Sequence, residues 1–277
     1  MSRLIRMEKV EGLVGGIVFG PVRSRRFGRS LGINPLPSNR KLCTFDCVYC
    51  ECGPTSQDES HRLDVQPFPP TAKIIESVRR AMEMLRRTNA SVDSLTLTGN
   101  GETTLHPAFE KIVRGLVALR DSILPKAQIV VLTNGTRLGH PSIRRALRRV
   151  DQCVVKIDAG RESMFQLLNR PLERASLEDL TEAASDLSGV LAKNHGQDAR
   201  ATIVVQTLFV RGRVDNTQDN EIAEWIERVA RTRPQRVQIY SLDRPPAVSG
   251  LLAVPRTDLK RIAALLAERT HLPVNIY

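Results

Sequence analysis

The sequence has few aromatic residues, no long apolar run and no start resembling a signal peptide. Aromatic residues make up 4% of the 277 residues, too few for binding nucleic acid mainly by base stacking. No apolar run approaches the roughly 20 residues that a transmembrane helix needs. The start, Met1 to Arg6, has no apolar core of the kind that a signal peptide carries. We therefore expect a globular, cytoplasmic protein.

Acidic residues are scarce, and the formal net charge is +11. No acid occurs between Glu11 and Asp46. The basic residues form two groups, one before residue 43 and one on a predicted helix: Arg23, Arg25, Arg26, Arg29, Arg40 and Lys41, and Arg144, Arg145, Arg148 and Arg149. This excess favours an anionic partner such as tRNA or another nucleic acid, and the alternative is a solvated basic face.

The cysteines are not arranged for disulfides or for an ordinary zinc site. Four of the five lie between residues 43 and 52, which favours metal in a reducing compartment over a disulfide framework. Structural zinc usually takes two separated C-x2-C pairs, and the sequence has no second pair apart from Cys47 and Cys50. Cys153 lies in an apolar strand and is interpreted as a small buried hydrophobe. The five histidines are scattered without ligand spacing and are given no role.

Cys43, Cys47 and Cys50 have the spacing C-x3-C-x2-C. Three thiolates on one short loop can hold three irons of a cubane cluster and leave the fourth without a protein ligand. An open iron can bind and activate a small molecule. The alternative is a zinc site completed by Cys52. We interpret Cys52 as a bystander thiol.

Short apolar segments alternate with helical patterns along the chain, which predicts a parallel sheet built from βα units. The six predicted strands are residues 31–36, 94–98, 128–133, 152–157, 202–206 and 236–240. Among the predicted helices, one is capped by Thr71, one begins with a capping box at Ser176, and the last spans about residues 257–268. We expect an N-terminal arm (1–29), one barrel domain (30–246), and a C-terminal helix and tail packed on the barrel (247–277).

Polar residues follow each predicted strand. In order, they are the cysteines, the segment Gly99 to Glu102, Asn134, Asp158, Gln206 and Asp243. Because ligands bind at the carboxyl ends of parallel strands, six strand ends are expected to share one pocket. Each residue also has a structural interpretation: a tight turn for the glycines and Asn134, and an ion pair for Lys156 with Asp158.

The cysteine spacing, with Tyr49 before the last cysteine, resembles the radical S-adenosylmethionine (SAM) superfamily, and Gly99 to Glu102 resembles its methionine-binding motif. Further motifs resemble a subgroup of Fe–S oxidoreductases related to the tricyclic-wyosine tRNA base synthases; they lie at residues 19–33, 101–107, 133–135, 156–160, 169–171 and 242–246. The resemblance implies a partial (β/α)6 TIM-type barrel, with parallel strands and outer helices. It also implies a [4Fe–4S] cluster and SAM, cleaved reductively to a 5′-deoxyadenosyl radical that abstracts hydrogen.

The resemblance assigns roles by position. It makes Cys43, Cys47 and Cys50 the cluster ligands, and it makes SAM ligands of Gly99, Asn100, Gly101, Glu102, Asn134, Lys156 and Asp158. Glu102 would hold the cofactor's ammonium, Asn134 its ribose, and Lys156 or Asp158 its ribose or carboxylate. Asn100 stands where many members carry glycine. No residue is assigned to hydrogen abstraction itself.

An electron donor such as flavodoxin or ferredoxin is implied, and the expected substrate is a nucleic acid base, in tRNA. Two alternatives stay open from the sequence. One is a protein-modifying radical activase, and the other is a non-catalytic, zinc-stabilised RNA-binding protein.

Overall fold

The computed structural model describes residues 9–10, 12–55, 68–193, 201–244, 246 and 248–277. Part of the predicted N-terminal arm (1–8 and 11), most of the loop predicted after Gly53 (56–67), Pro245, His61 and His195 lie outside the described residues.

The main sheet has eight strands in the order β12-β10-β8-β7-β6-β5-β4-β3. Its strands are β3 (Val18–Ser24), β4 (Gly28–Ile33), β5 (Ser94–Leu97), β6 (Gln128–Thr133), β7 (Gln152–Lys156), β8 (Thr202–Leu208), β10 (Arg236–Tyr240) and β12 (Val274–Ile276). All neighbours from β4 to β12 pair in parallel, and β3 pairs antiparallel with β4. Two further pairs of short strands are antiparallel: β1 (Lys9–Val10) with β2 (Leu13–Val14), and β9 (Val210–Gly212) with β11 (Leu251–Ala253).

Helices connect the parallel strands. They are α1 (Thr71–Arg87), α2 (Phe109–Ile123), α3 (Pro141–Leu147), α4 (Glu162–Leu168), α5 (Leu177–Lys193), α6 (Asp219–Thr232) and α7 (Arg256–Thr270). Their apolar sides pack on the outer face of the sheet in one core, which includes Ile74 of α1, Ile112 of α2 and Trp225 of α6. The predicted partial (β/α)6 TIM-type barrel is confirmed. No described helix is long and apolar enough to cross a membrane.

The predicted local signals were partly right. The capping box is confirmed, since Asp179 N donates to Ser176 Oγ at 3.0 Å and Ser176 N to Asp179 Oδ2 at 3.4 Å. The Thr71 cap was wrong: Thr71 is already helical, and Pro70 occupies the cap position without a side-chain bond. The sequence signals also missed α4, β9, β11 and β12. These are short elements, and tertiary pairing supports them more than local propensity does.

The inner face of the barrel has its own apolar layer. Val130, Val154 and Val204 come from three adjacent strands and pack together, with Phe27 and Leu132 against them. This layer forms the floor beneath the carboxyl ends of the strands, where the predicted site residues lie.

Candidate active site

The cysteine loop, residues 41–53, is attached to the barrel on two sides. At its start, Leu42 N donates to Asn100 O (2.8 Å) and Glu102 N to Leu42 O (2.9 Å), which joins the loop to the end of β5. On the other side, Asp46 N and Val48 N each donate, at 3.0 Å, to carbonyl groups at the end of α4 and just after it. The loop's backbone is therefore held on one side by the end of β5 and on the other by the end of α4.

Gly101 is required by the close approach of this loop. A Cβ atom at Gly101 would lie 1.8 Å from Leu42 O, and the residue has a φ of 128°. At Gly99, with a φ of 153°, a Cβ would lie 2.3 Å from Asn34 Oδ1. The glycines of the predicted motif thus let the cysteine loop and β4–β5 connections approach the end of β5.

The three predicted cluster ligands are half-buried and differ in acidity. A hydrogen bond from Cys52 lowers the pKa of Cys50 to about 6, helped by the charge of Lys41. Burial raises the pKa of Cys47 to about 11, and repulsion from Cys50 adds to this. Burial and repulsion from Cys47 also raise the pKa of Cys43. Positively charged irons would stabilise the buried thiolates and reduce the repulsion between them, so this set of donors fits a metal cluster.

Lys41 is a buried cation beside the thiols and no part of a surface patch. Its side chain donates to Gly53 O at 2.8 Å and lies 3.9 Å from Asp46 Oδ1. Burial lowers the pKa of Lys41, but the negative charges of the nearby cysteines outweigh this and raise it overall. The ammonium therefore balances part of the charge of a thiolate cluster.

One group of side chains, which we call the Cys43 network, consists of Thr44, Glu102, Thr133 and Asn134. Asn134 Nδ2 lies 3.6 Å from Cys43 Sγ and donates to Thr44 Oγ1 at 2.8 Å. Glu102 Oε2 accepts from Asn134 N at 2.6 Å, and Oε1 accepts from Thr133 Oγ1 at 2.9 Å. The network ties the ends of β5 and β6 to the start of the cysteine loop.

Glu102 is buried, and the chain itself supplies most of its hydrogen bonds. Besides Thr133, Oε1 accepts from both Thr104 N (3.1 Å) and Thr104 Oγ1 (2.5 Å). Burial raises the pKa of Glu102, against the lowering effect of these bonds. Oε2 accepts one bond, so it keeps an acceptor position for a further donor such as a ligand ammonium.

Asn100 uses its side chain as a structural link. Its amide donates to Val14 O (3.0 Å) and Pro37 O (2.9 Å) and accepts from Val14 N (2.7 Å). This explains an asparagine where glycine was expected: it attaches the β1–β2 hairpin to the end of β5. Only the backbone of Asn100 remains for a cofactor.

The second group, the Cys47 network, consists of Tyr49, Lys156, Asp158 and Asn169. Asp158 is buried and accepts from the Tyr49 hydroxyl, from Asn169 Nδ2 (3.0 Å) and from Lys156 Nζ (2.8 Å). Asn169 Nδ2 also lies 3.5 Å from Cys47 Sγ. The predicted Lys156–Asp158 ion pair is therefore present, and it stands next to a cysteine.

Two features of the Cys47 network leave room for a ligand. Asn169 Oδ1 is buried and has no hydrogen-bond partner in the part of the chain that the structure describes. Lys156 Nζ lies over the rings of Tyr49 and Tyr240, at 5.2 and 4.8 Å from their centroids. Burial lowers the pKa of Lys156, but Asp158 outweighs this and keeps the ammonium charged. An unpartnered acceptor and a cation on one side of the loop fit a ligand with both donor and acid groups.

In the described part of the chain, no group of three or more His, Cys, Asp or Glu side chains is placed to hold a metal ion. In a cubane cluster each cysteine binds a different iron, so the thiols surround the group and need not converge on one point. Cys52 contacts Gly99 O at 3.6 Å as well as Cys50. Cys153 is buried in β7, as expected, and burial raises its pKa to about 12.

The remaining predicted strand-end residues, Gln206 and Asp243, do not join either network. Gln206 Nε2 donates to Gln238 Oε1 at 2.9 Å, inside the barrel. Asp243 pairs with Arg25, and Arg244 pairs with Glu51 at 2.9 Å. In the second basic group, Arg145 pairs with Glu110 and Arg144 with Asp186, while Arg148 and Arg149 follow the end of α3 and are exposed.

Sequence reasoning missed the importance of Asn169, Lys41 and Tyr240. Asn169 belongs to the Asn-Arg-Pro motif that contributed to the resemblance, and that motif was the available signal. Lys41 belongs to a basic run, and such a run does not reveal which of its members is buried. Tyr240 ends a predicted strand, and that position alone does not indicate its contacts.

Comparison with known proteins agrees with this geometry. The family profile described as the Radical SAM superfamily matches residues 41–195, more than half of the chain. The UPF0026 protein of Synechocystis sp. is 32% identical over 228 residues, covering 82% of this chain and 76% of that protein. The UPF0026 protein of Methanocaldococcus jannaschii is 29% identical over 252 residues, covering 91% of this chain and 71% of that protein.

Solved structures share the fold at low sequence identity. A radical SAM methyltransferase from Sphaerobacter thermophilus superposes with a TM-score of 0.64 at 16% identity, covering 90% of this chain and 65% of that one. TYW1 with a lysine-pyruvate adduct bound gives 0.60 at 13% identity, covering 87% and 74%. SuiB of Streptococcus suis bound to S-adenosylmethionine gives 0.61 at 11% identity, covering 89% and 50%.

Proposed function

We propose that this chain, an enzyme that belongs to the radical SAM superfamily and groups with the UPF0026 proteins, cleaves SAM reductively at a [4Fe–4S] cluster held by Cys43, Cys47 and Cys50. When bound and reduced by a one-electron donor such as flavodoxin or ferredoxin, the cluster supplies the electron that splits the S–C5′ bond of SAM, and the resulting 5′-deoxyadenosyl radical abstracts hydrogen from a substrate. The family match favours this enzyme over the zinc-stabilised RNA-binding alternative.

One observation carries the proposal: two independent networks, from different strand ends, each bring an amide to a cysteine sulfur. Asn134 lies 3.6 Å from Cys43 and Asn169 lies 3.5 Å from Cys47. Amide donors to thiolate sulfurs are among the groups that tune iron–sulfur clusters. A structural zinc loop would not need an amide donor at two of its sulfurs.

Different residues near the cysteine loop would bind different groups of SAM. Glu102 Oε2 would accept from the ammonium, and the backbone at Gly99, Asn100 and Gly101 would lie along the methionyl group. Asn134 would contact the ribose. On the other side, Lys156 or Asp158 would contact the ribose or carboxylate, where Lys156 supplies a positive charge and Asp158 holds it in position.

The test begins with protein purified without oxygen. The wild-type chain should be brown and contain about four irons, and Cys43→Ala, Cys47→Ala or Cys50→Ala should each remove most of the colour. With dithionite and SAM, the wild-type protein should release methionine and 5′-deoxyadenosine, measured by mass spectrometry.

Matched controls are available within the same chain. Cys52→Ala and Cys153→Ala should keep the iron, because neither residue is a proposed ligand. A colourless protein with one zinc per chain would refute the proposal. Iron loss in Cys52→Ala would make Cys52 a fourth ligand and would leave no iron open for SAM.

We further propose that the substrate is a base in tRNA. The net charge of +11 and the subgroup resemblance support this. Modified nucleosides in tRNA from wild-type and deletion cells should differ, and an unchanged profile would remove the tRNA proposal. If RNA binds at the second basic group, Gln substitutions at the exposed Arg148 and Arg149 should flatten the salt dependence of RNA affinity.

A further inference from the structure

The inner face of the barrel changes from apolar to polar toward the carboxyl ends of its strands. Lys156 and Gln206 follow the valines of the inner layer by two residues, so they point into the barrel as well. The register pairs Lys156 with Gln206 and Gln206 with Gln238 across three adjacent strands. A polar row therefore lies directly above the valine floor.

Tyr240 continues this row and is flanked by two cations. It follows Gln238 by two residues, a separation of about 7 Å along a strand. Lys156 Nζ lies 3.1 Å from the Tyr240 hydroxyl, and Arg26 Cζ lies 4.4 Å from the ring centroid. Lys156 has a counter-charge in Asp158 at 2.8 Å.

Arg26 reaches this position from the opposite edge of the sheet. It lies at the tip of the β3–β4 hairpin, where Phe27 packs against the inner valine layer and Arg25 pairs with Asp243 after β10. Because β3 and β10 lie near opposite edges of the sheet, the tip spans the open side of the barrel. Arg26 is thereby placed at the polar row by a fixed contact on each side.

Two hydrogen-bond donors in this region have no partner among the described residues. They are the buried atoms Arg26 Nη1 and Gln238 Nε2, and Gln238 as a whole is 0% exposed. Arg26 is half-buried and makes no ion pair with any described residue, unlike its neighbour Arg25. Buried donors are normally hydrogen-bonded, so these two N–H groups could serve a ligand.

We infer that Arg26 and Gln238 bind an anionic oxygen group, a carboxylate or a phosphate, of the substrate inside the barrel. The inference rests on the proposed function, because it names the substrate class of the same pocket. The guanidinium supplies the charge and its unpartnered N–H, Gln238 supplies a second N–H, and Tyr240 holds the guanidinium plane. Arg26 and Gln238 would thus determine specificity.

The probes are acetate and inorganic phosphate, tested on the full-length chain purified without oxygen. Unfolding temperature is measured against anion concentration at constant ionic strength, with chloride as the reference anion. We expect acetate or phosphate to raise the unfolding temperature above the chloride value, and the stronger of the two identifies the carboxylate or the phosphate as the ligand group. Arg26→Gln should weaken the apparent affinity about tenfold or more, as expected for the loss of a charged hydrogen bond.

Two further variants serve as a second disruption of the subsite and as a control. Gln238→Glu places a negative charge in the row and should abolish the effect even if Arg26→Gln disturbs the hairpin. Arg29→Gln is the matched control, because Arg29 is exposed on β4 and its guanidinium bonds to Ser91. It should keep the wild-type anion response.

The inference is overturned if neither anion has an effect beyond chloride, or if Arg26→Gln and Gln238→Glu respond like the wild type. It is also overturned if saturating SAM removes the effect, since the subsite would then belong to the cofactor. The proposed function fails separately: an anion effect without 5′-deoxyadenosine release would refute SAM cleavage and leave this subsite standing.

Discussion

The Cys43 and Cys47 networks stand on either side of one loop, yet they differ in how fully their polar groups are used. In the Cys43 network, Glu102 accepts four bonds from the chain and both ends of the Asn134 amide are engaged. In the Cys47 network, Asn169 Oδ1 is buried and has no partner among the described residues. The Cys43 network therefore mainly holds its loop in place and keeps one acceptor position, on Glu102 Oε2, whereas the Cys47 network keeps a wholly unpartnered acceptor for a ligand.

The networks also differ in charge. The Cys43 network has one carboxylate among neutral hydroxyls and an amide, while the Cys47 network contains the Lys156–Asp158 ion pair, with Asp158 fully enclosed. A buried ion pair contributes little net stability but is costly to break on one side. The two networks should therefore respond differently to the loss of a single charge.

The largest effect is expected from Asp158→Asn in the Cys47 network. The change leaves the Lys156 ammonium without its counter-charge and should lower the free energy of unfolding by about 3–5 kcal/mol. Urea denaturation without oxygen measures this. Glu110→Gln is the control, because its pair with Arg145 lies at the surface, where solvent screens it, and its loss should cost far less stability. Equal losses in the two variants would contradict a structural role for the buried pair.

Glu102→Gln should lower the free energy of unfolding by a smaller amount, about 1–3 kcal/mol. The new amide NH2 would face N–H and O–H groups that now donate to the carboxylate. This loss should depend on pH. Burial raises the pKa of Glu102, so the folded protein holds that proton more tightly than the unfolded chain does. The contribution of Glu102 protonation to folding stability is therefore full at low pH. It is lost as the pH rises from the ordinary carboxyl pKa through the raised pKa of Glu102 in the folded protein. The difference in the free energy of unfolding between the wild-type protein and Glu102→Gln should therefore become smaller as the pH rises.

Glu178 provides a control of opposite sign for that pH dependence. Hydrogen bonds from Arg231 and Arg228 lower its pKa to about 2. Its contribution is therefore present above the ordinary carboxyl range and fades as pH falls toward about 2, so Glu178→Gln should show the reverse trend. Parallel slopes for the two variants would contradict the assignment of Glu102 as a buried acid with a raised pKa.

The smallest effects distinguish the two amides that contact sulfur. Asn134→Ala and Asn169→Ala should each lower the reduction potential of the bound cluster, because a donor to a thiolate sulfur stabilises the more negative, reduced state. Asn134→Ala should also cost about 1 kcal/mol more stability, since its amide links Thr44 and Thr136. Potentials are measured by redox titration with electron paramagnetic resonance.

Asn216→Ala is the control that distinguishes a loss of stability from a shift in reduction potential. Asn216 is equally buried, but its amide bonds to Asp158 O and Leu208 O, both at 2.9 Å, and contacts no cysteine. It should reduce stability and leave the potential unchanged. A potential shift as large in Asn216→Ala as in Asn169→Ala would show that the amides act through packing alone.

Much of this arrangement could be predicted from residue order. Six of the seven parallel strands of the main sheet were predicted to within a few residues, because buried parallel strands are continuous apolar runs separated by helical patterns. The short seventh strand, β12, was missed. The position of polar residues directly after those strands predicted a common pocket. The individual roles at the site remain predictions, although Cys43, Glu102 and Asn134 do lie together, as do Cys47, Lys156 and Asp158.

What could not be predicted were the partners chosen across long separations. Asn100 bonds to Val14, and Arg25 to Asp243, across 86 and 218 residues. Nothing local in either segment indicates the other, because such pairs form only when the sheet has curled and brought its edges together. The same closure places Arg26, a half-buried member of a basic run, over the Tyr240 ring.

The sequence by itself determined the chemistry available to this protein: three thiols at a spacing suited to a cluster, and polar residues at the ends of parallel strands. Residue type and spacing are local properties that folding does not alter. Only the tertiary structure decided how those groups are used. It gave most polar groups of the Cys43 network a partner and left acceptors and donors open near Cys47 and at Arg26, because burial and hydrogen-bond partners depend on where distant segments meet.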